Sequence, residues 1–94
     1  MKFHLRACVD TDDPVTLRPV IEGIAERHAG TVRPVERGFE IEFDWEGESA
    51  RDLNRVLLTE LRRSVKKTRL RAEWTAGGAT EKFFDYVPKG IVKP

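Results

Sequence analysis

From Phe39 to Glu46, apolar and acidic residues alternate without a break: Phe39, Ile41, Phe43 and Trp45 against Glu40, Glu42, Asp44 and Glu46. Successive side chains on a strand point to opposite faces, so this pattern predicts a strand with one buried face and one wet, negative face. Residues 2–9 alternate in the same way, with Phe3, Leu5, Ala7 and Val9 set against Lys2, His4, Arg6 and Cys8. Leu70, Ala72 and Trp74 alternate with Arg69, Arg71 and Glu73 as a later strand. Residues 31–36 form a weaker one, and Pro34 within it suits a sheet edge. Arg37-Gly38 turns that strand into the acidic one. Gly77-Gly78 predicts a second hairpin turn, into a last strand over residues 80–87.

Two segments change period. Leu17, Val20, Ile21, Ile24, Ala25 and His28 recur at helical spacing, an amphipathic helix. Asp13 before Pro14 can cap and open it, and Thr16 is a second candidate cap. Pro19 favours the later start, because a proline in the first turn loses no helical hydrogen bond. Gly30 is placed to end the helix in the left-handed conformation. Ser49, with Asp52 three residues on, reads as a capping box for a second helix. Leu53, Val56, Leu57, Leu61 and Val65 line its apolar face, with Leu58 beside them, and Arg62, Arg63, Lys66 and Lys67 crowd its last turns.

The element order is β-α-β-β-α-β with an added C-terminal strand that forms a hairpin with the fourth. This order predicts an α+β fold: a ferredoxin-like α/β plait, with two helices on one face of an antiparallel sheet. In such a plait the fourth, first, third and second strands lie side by side in that order. Residues 1–88 are read as one domain and residues 89–94 as a loose tail. On the open face, His4, Arg6 and Cys8 should lie beside Glu40, Glu42, Asp44 and Glu46, a surface laced by ion pairs.

Charge narrows the function more than it specifies it. Seventeen basic residues against 16 acidic ones leave a net charge of +1, with no global pull towards nucleic acid or anionic membrane. Residues 51–71 nevertheless gather eight Arg or Lys against Asp52 and Glu60 alone. Arg62, Arg63, Lys66 and Lys67 are therefore the residues that would serve a nucleic-acid contact, the alternative reading. Arg37-Gly38-Phe39 matches the first three residues of an RNA-recognition-motif signature, but Glu40, Glu42 and Asp44 then occupy the places of small, apolar or aromatic groups and would repel phosphates. Cys8 is the only cysteine, and no apolar run approaches the roughly 18 residues of a membrane span. Cytoplasmic location without membrane attachment is the expectation.

Catalytic constellations are not legible. His4 and Cys8 share a strand face but stand about 13 Å apart at strand rise, too far for a dyad. Two His and one Cys at unrelated spacings give no zinc pattern. Asp10-Thr11-Asp12-Asp13 lacks the EF-hand spacing, so capping explains it better than calcium. Acylphosphatases share the topology, but their phosphate loop is Gly- and Arg-rich where this one is acidic. A packed or dipole-stabilised His28 is expected. No cofactor and no metal are predicted.

Asp13-Pro14-Val15-Thr16-Leu17, followed by Val20, Ile21, Ile24, Ala25, Ala29 and Val32, resembles the opening of ACT domains, which run strand, Asp-x-Pro-Gly-x-Leu, helix, strand. The resemblance covers residues 8–35. It implies a non-catalytic regulatory module that pairs sheets and binds a small ligand at the interface, with Asp12, Asp13, Val15 and Leu17 on the ligand side. The ACT glycine that lets backbone approach the ligand is Val15 here. The resulting expectation is a non-enzymatic module acting through self-association, or through a protein partner or small metabolite. A homodimer would form through the last strand, where Phe83 with Val87 and Phe84 with Tyr86 leave both faces greasy.

Overall fold

A computed structural model describes residues 1–84. Five strands and two helices follow in order: β1 (Lys2–Asp10), α1 (Pro14–Arg27), β2 (Thr31–Val35), β3 (Gly38–Glu46), α2 (Ala50–Ser64), β4 (Arg69–Ala76) and β5 (Ala79–Phe84). The strands form one antiparallel sheet in the order β2-β3-β1-β4-β5. The fold is α+β and compatible with a small plait. No helix among the described residues is long and apolar enough to cross a membrane.

The two alternating strands set the register at the centre. Phe3 lies opposite Trp45, Leu5 opposite Phe43, Ala7 opposite Ile41 and Val9 opposite Phe39, while Leu5, Ala7 and Val9 also face Trp74, Ala72 and Leu70 on β4. A slip of one residue would turn every one of these side chains to the wet face, so the apolar pattern holds the register firmly. Both helices cover the apolar face, and the core lies between them and the sheet, with Leu5, Leu17, Leu57, Leu61, Leu70 and Trp74 fully excluded from water. Trp45 is half-buried at its rim.

Several local expectations are corrected. Helix α1 begins at Pro14, not late: Asp13 caps it by accepting the Thr16 N–H at 3.2 Å, and Pro19 sits inside. The proline leaves the Val15 carbonyl without its helical donor, but Val15 is 83% exposed, so water can take that place. Ala29, not Gly30, is the left-handed residue past the helix end, with φ of 53°. The Gly30 N–H reaches the Ala25 carbonyl at 2.8 Å and the Ala29 N–H the Glu26 carbonyl at 3.3 Å, the paired bonds of a Schellman end. Gly30 is required for space instead: a Cβ there would stand 2.5 Å from the Phe43 Cβ.

Helix α2 starts as its capping pattern predicts, Ser49 Oγ accepting the Asp52 N–H at 3.1 Å. Its buried stripe is Ala50, Leu53, Asn54, Leu57, Leu58 and Leu61. Val56 falls outside, about 130° from the stripe's centre at 100° per residue, and is 50% exposed. The helix stops at Ser64, so Val65 is its C-cap and Lys66 and Lys67 lie in the turn that follows. The first hairpin turns at Glu36-Arg37, since Val35 pairs with Gly38. The second turns at Gly77-Gly78, both with positive φ as a type I′ turn requires. Tyr86, Val87 and the tail at 89–94 lie outside the described residues.

Candidate functional site

Strand parity builds the open face. The even residues of β1 and β3 point away from the helices, as do Arg69, Arg71, Glu73 and Thr75 of β4 and Thr80, Lys82 and Phe84 of β5. Thr31, Arg33 and Val35 complete it on the β2 edge. A shallow hollow of about 730 Å3 runs across this face, lined among others by Arg6, Cys8, Glu40, Glu42, Arg71 and Phe84.

The charges are arranged in rows along the strands. Glu40, Glu42, Asp44 and Glu46 form an acidic row on β3, flanked by Lys2, His4 and Arg6 on β1 and by Arg33 on β2. His4 bridges two members of the row, Nδ1 at 2.7 Å from Asp44 Oδ1 and Nε2 at 2.6 Å from Glu42 Oε2. Both ring nitrogens can donate only in the imidazolium, and the hydrogen bond to Asp44, then that to Glu42, raises the His4 pKa above its ordinary 6.5. Arg33 pairs with Glu40 and Lys82 with Glu73. Arg6, opposite Glu42 and Glu73, has no ion pair among the described residues.

The last strand divides its two aromatics. Phe83 packs half-buried against the core, whereas Phe84 is 62% exposed on the open face beside Arg71, whose guanidinium stands 5.7 Å from its ring centre. Lone Cys8 is exposed between Glu40 and Arg71. Among the described residues no three His, Cys, Asp or Glu side chains are placed to hold a metal ion.

The ACT-type positions do not converge. Leu17 is fully buried in the core and the Asp13 carboxylate caps α1. Val15 borders an apolar depression of about 460 Å3 with Pro14, Pro19 and Pro34. Asp12 belongs to a different pocket, at the end of the sheet where β1 leads to α1. That pocket also takes Arg62 and Lys67, two of the four basic residues singled out in the sequence, but not Arg63 or Lys66. It adds Arg69, two residues beyond Lys67 in the same basic stretch, and Arg37, which is distant in the chain and brought near only by the fold.

His28 is packed, stacked on Phe43 at 4.9 Å and tilted against Trp45 at 4.6 Å. Desolvation there lowers its pKa from 6.5, with Arg27 adding to the effect. A polar group missed in the sequence is Asn54, wholly buried, whose Oδ1 accepts the Trp74 indole N–H at 2.9 Å. Its neighbours Leu53, Leu57 and Leu58 are the signal that could have found it, since one polar residue within an apolar stripe implies a buried partner.

Against known proteins, the chain matches no family model, no curated protein and no solved structure.

Proposed function

We propose that this chain is a non-enzymatic, ferredoxin-like plait module that works by association, and that its open sheet face pairs with a second copy of itself. The observation that carries the reading is Phe84, a large apolar side chain 62% exposed on a face whose charges lie in complementary rows. A two-fold axis parallel to the strands, between β3 and β1, lays the acidic β3 row of one protomer over the basic β1 row of the other and β4 over β2, with Phe84 on β5 at the rim beside the partner's β2 edge. Arg6 then gains the carboxylate partner it lacks within its own chain. Isologous contacts of this kind are the commonest route to dimers.

Strands of five to nine residues, about 17–30 Å long and about 4.8 Å apart, present roughly 590 Å2, at the low end of the roughly 600–1,000 Å2 per partner of specific complexes. The strand order β2-β3-β1-β4-β5 supports the ferredoxin-like assignment, since its fourth, first, third and second strands are consecutive neighbours. Sedimentation equilibrium at low and high salt tests the reading. The expected result is a dimer that weakens as salt rises and dissociates, still folded, on Phe84→Ser or Arg6→Glu. A monomer at high micromolar concentration in low salt overturns it.

A further inference from the structure

We propose that the pocket at the β1–α1 end of the sheet binds the phosphate monoester of a small ligand. Four cationic side chains line it: Arg62 of α2, Lys67 of the following turn and Arg69 at the start of β4, all from one basic stretch, and Arg37 of the first hairpin turn, brought in by the fold. Asp10, Thr11 and Asp12 complete the wall, and the cavity measures about 570 Å3. That volume is in the range of small-molecule sites, about 300–1,000 Å3.

None of the four cations takes part in an ion pair among the described residues. Arg18, Arg27, Arg33 and Lys82 each hold a carboxylate, while other surface cations such as Arg6 and Arg63 do not among the described residues; what sets these four apart is that they share one pocket. Even Asp10 and Arg69, direct partners in the sheet register, do not form a pair. The two carboxylates in the wall leave cations in excess, and a bound dianion relieves the repulsion among them.

The frame around them is fixed before any ligand arrives. Arg62 donates its Nε–H to the Thr68 carbonyl at 2.9 Å, which leaves both terminal nitrogens free for two phosphate oxygens. Thr68 is itself buried and bonded to the Val65 carbonyl at 2.8 Å. The Arg37 carbonyl accepts the Thr11 N–H at 2.9 Å and ties the hairpin turn to the acidic loop. A pre-set cradle lowers the ordering cost of binding.

The charge balance selects the ligand class. Four cations and two carboxylates leave an excess matched by a phosphate monoester, which carries about −1.5 to −2 at pH 7. Asp10 and Asp12 would accept hydrogens from hydroxyl or amino groups on the rest of the ligand, and they disfavour a continuous polyanion such as nucleic acid, whose neighbouring phosphates they would repel.

The test is amide-resolved NMR titration of the whole chain with inorganic phosphate, ribose 5-phosphate and a single-stranded oligonucleotide. Saturable shifts confined to Thr11, Asp12, Arg37, Lys67 and Arg69 are expected, with ribose 5-phosphate binding more tightly than phosphate. Arg37→Ala or Arg69→Ala, both at exposed positions, should each weaken phosphate binding about tenfold. Lys67→Glu should abolish it. Asp12→Asn should tighten inorganic phosphate and weaken ribose 5-phosphate. No localised shift at about 10 mM phosphate overturns the proposal. Tightest binding by the oligonucleotide, with shifts spread along α2 to Arg63 and Lys66, overturns it in favour of a nucleic-acid surface. Arg37 and Lys67 lie in turns off the open face, so Arg37→Ala and Lys67→Glu should leave the oligomeric state unchanged, whereas Arg69 and Asp10 stand at the margin of that face.

Discussion

Gly38→Ala probes how tightly the first hairpin is pressed onto the central strand. A Cβ at this position would stand 1.9 Å from the Val9 carbonyl oxygen and 3.0 Å from its carbon, where ordinary contact begins at 3.4 Å. Both atoms are backbone, so no rotamer change relieves the overlap, and the start of β3 must lift from β1. Two features are then at risk: the pairing of Gly38 with Asp10, and the bond from the Thr11 N–H to the Arg37 carbonyl. Each lost backbone bond costs about 1 kcal/mol net, and residual overpacking about 1–3 kcal/mol. Against this, alanine restricts the unfolded chain and returns about 0.4–1 kcal/mol. The expected net loss is about 2–4 kcal/mol, a fall in Tm of roughly 10–25 °C for a domain of this size. Urea unfolding followed by tryptophan fluorescence and circular dichroism measures it. Gly23→Ala is the internal control: nothing lies within 4 Å of its Cβ in mid-helix, so it should stabilise by about 0.5–1 kcal/mol. A Gly38→Ala protein within about 1 kcal/mol of the parent would refute the steric argument.

Ala29→Gly relieves a left-handed alanine and should stabilise by a fraction of about 1 kcal/mol in the same assay, while Ala29→Val should destabilise. Asn54→Ala leaves the buried Trp74 N–H without its acceptor and should cost about 1–3 kcal/mol, but less in a Trp74→Phe background, as a double-mutant cycle would register. The two histidines oppose each other in pH. His4 has a raised folded pKa, so its stabilisation is full below 6.5 and fades as pH rises through the folded value; His4→Ala should flatten that loss. His28 has a lowered folded pKa, so stability present above 6.5 is lost as pH falls through the folded value, and His28→Phe should remove that acid-side loss. Histidine-resolved NMR titration of each single variant checks both directions.

Periodicity alone was sufficient for the elements of this protein. The strict alternation of Phe39 to Glu46 and of Phe3 to Val9 fixes which face each row takes and excludes any one-residue slip, and the observed register keeps both apolar rows against the helices. Ser49 with Asp52 marked the start of α2 because a cap is a local bargain between a side chain and the third residue on. Where local signals competed, the sequence could not arbitrate. Pro19 argues for a late helix start, yet Asp13 and Pro14 prevail because Leu17 must reach the core. Gly30 looks like a helix stop, but the closeness of Phe43, a residue of another element, is what demands it. Val65, Lys66 and Lys67 continue the helical pattern, and the chain leaves the helix there to bring Arg69 alongside Asp10. The nearness of Arg62, Lys67 and Arg69 was legible as one basic stretch, but their meeting with Arg37 and the acidic loop at residues 10–12 belongs to the tertiary structure, because it depends on where separate chain reversals end rather than on spacing along the chain. Local spacing determines which face a side chain takes; only packing determines which distant side chains share a pocket.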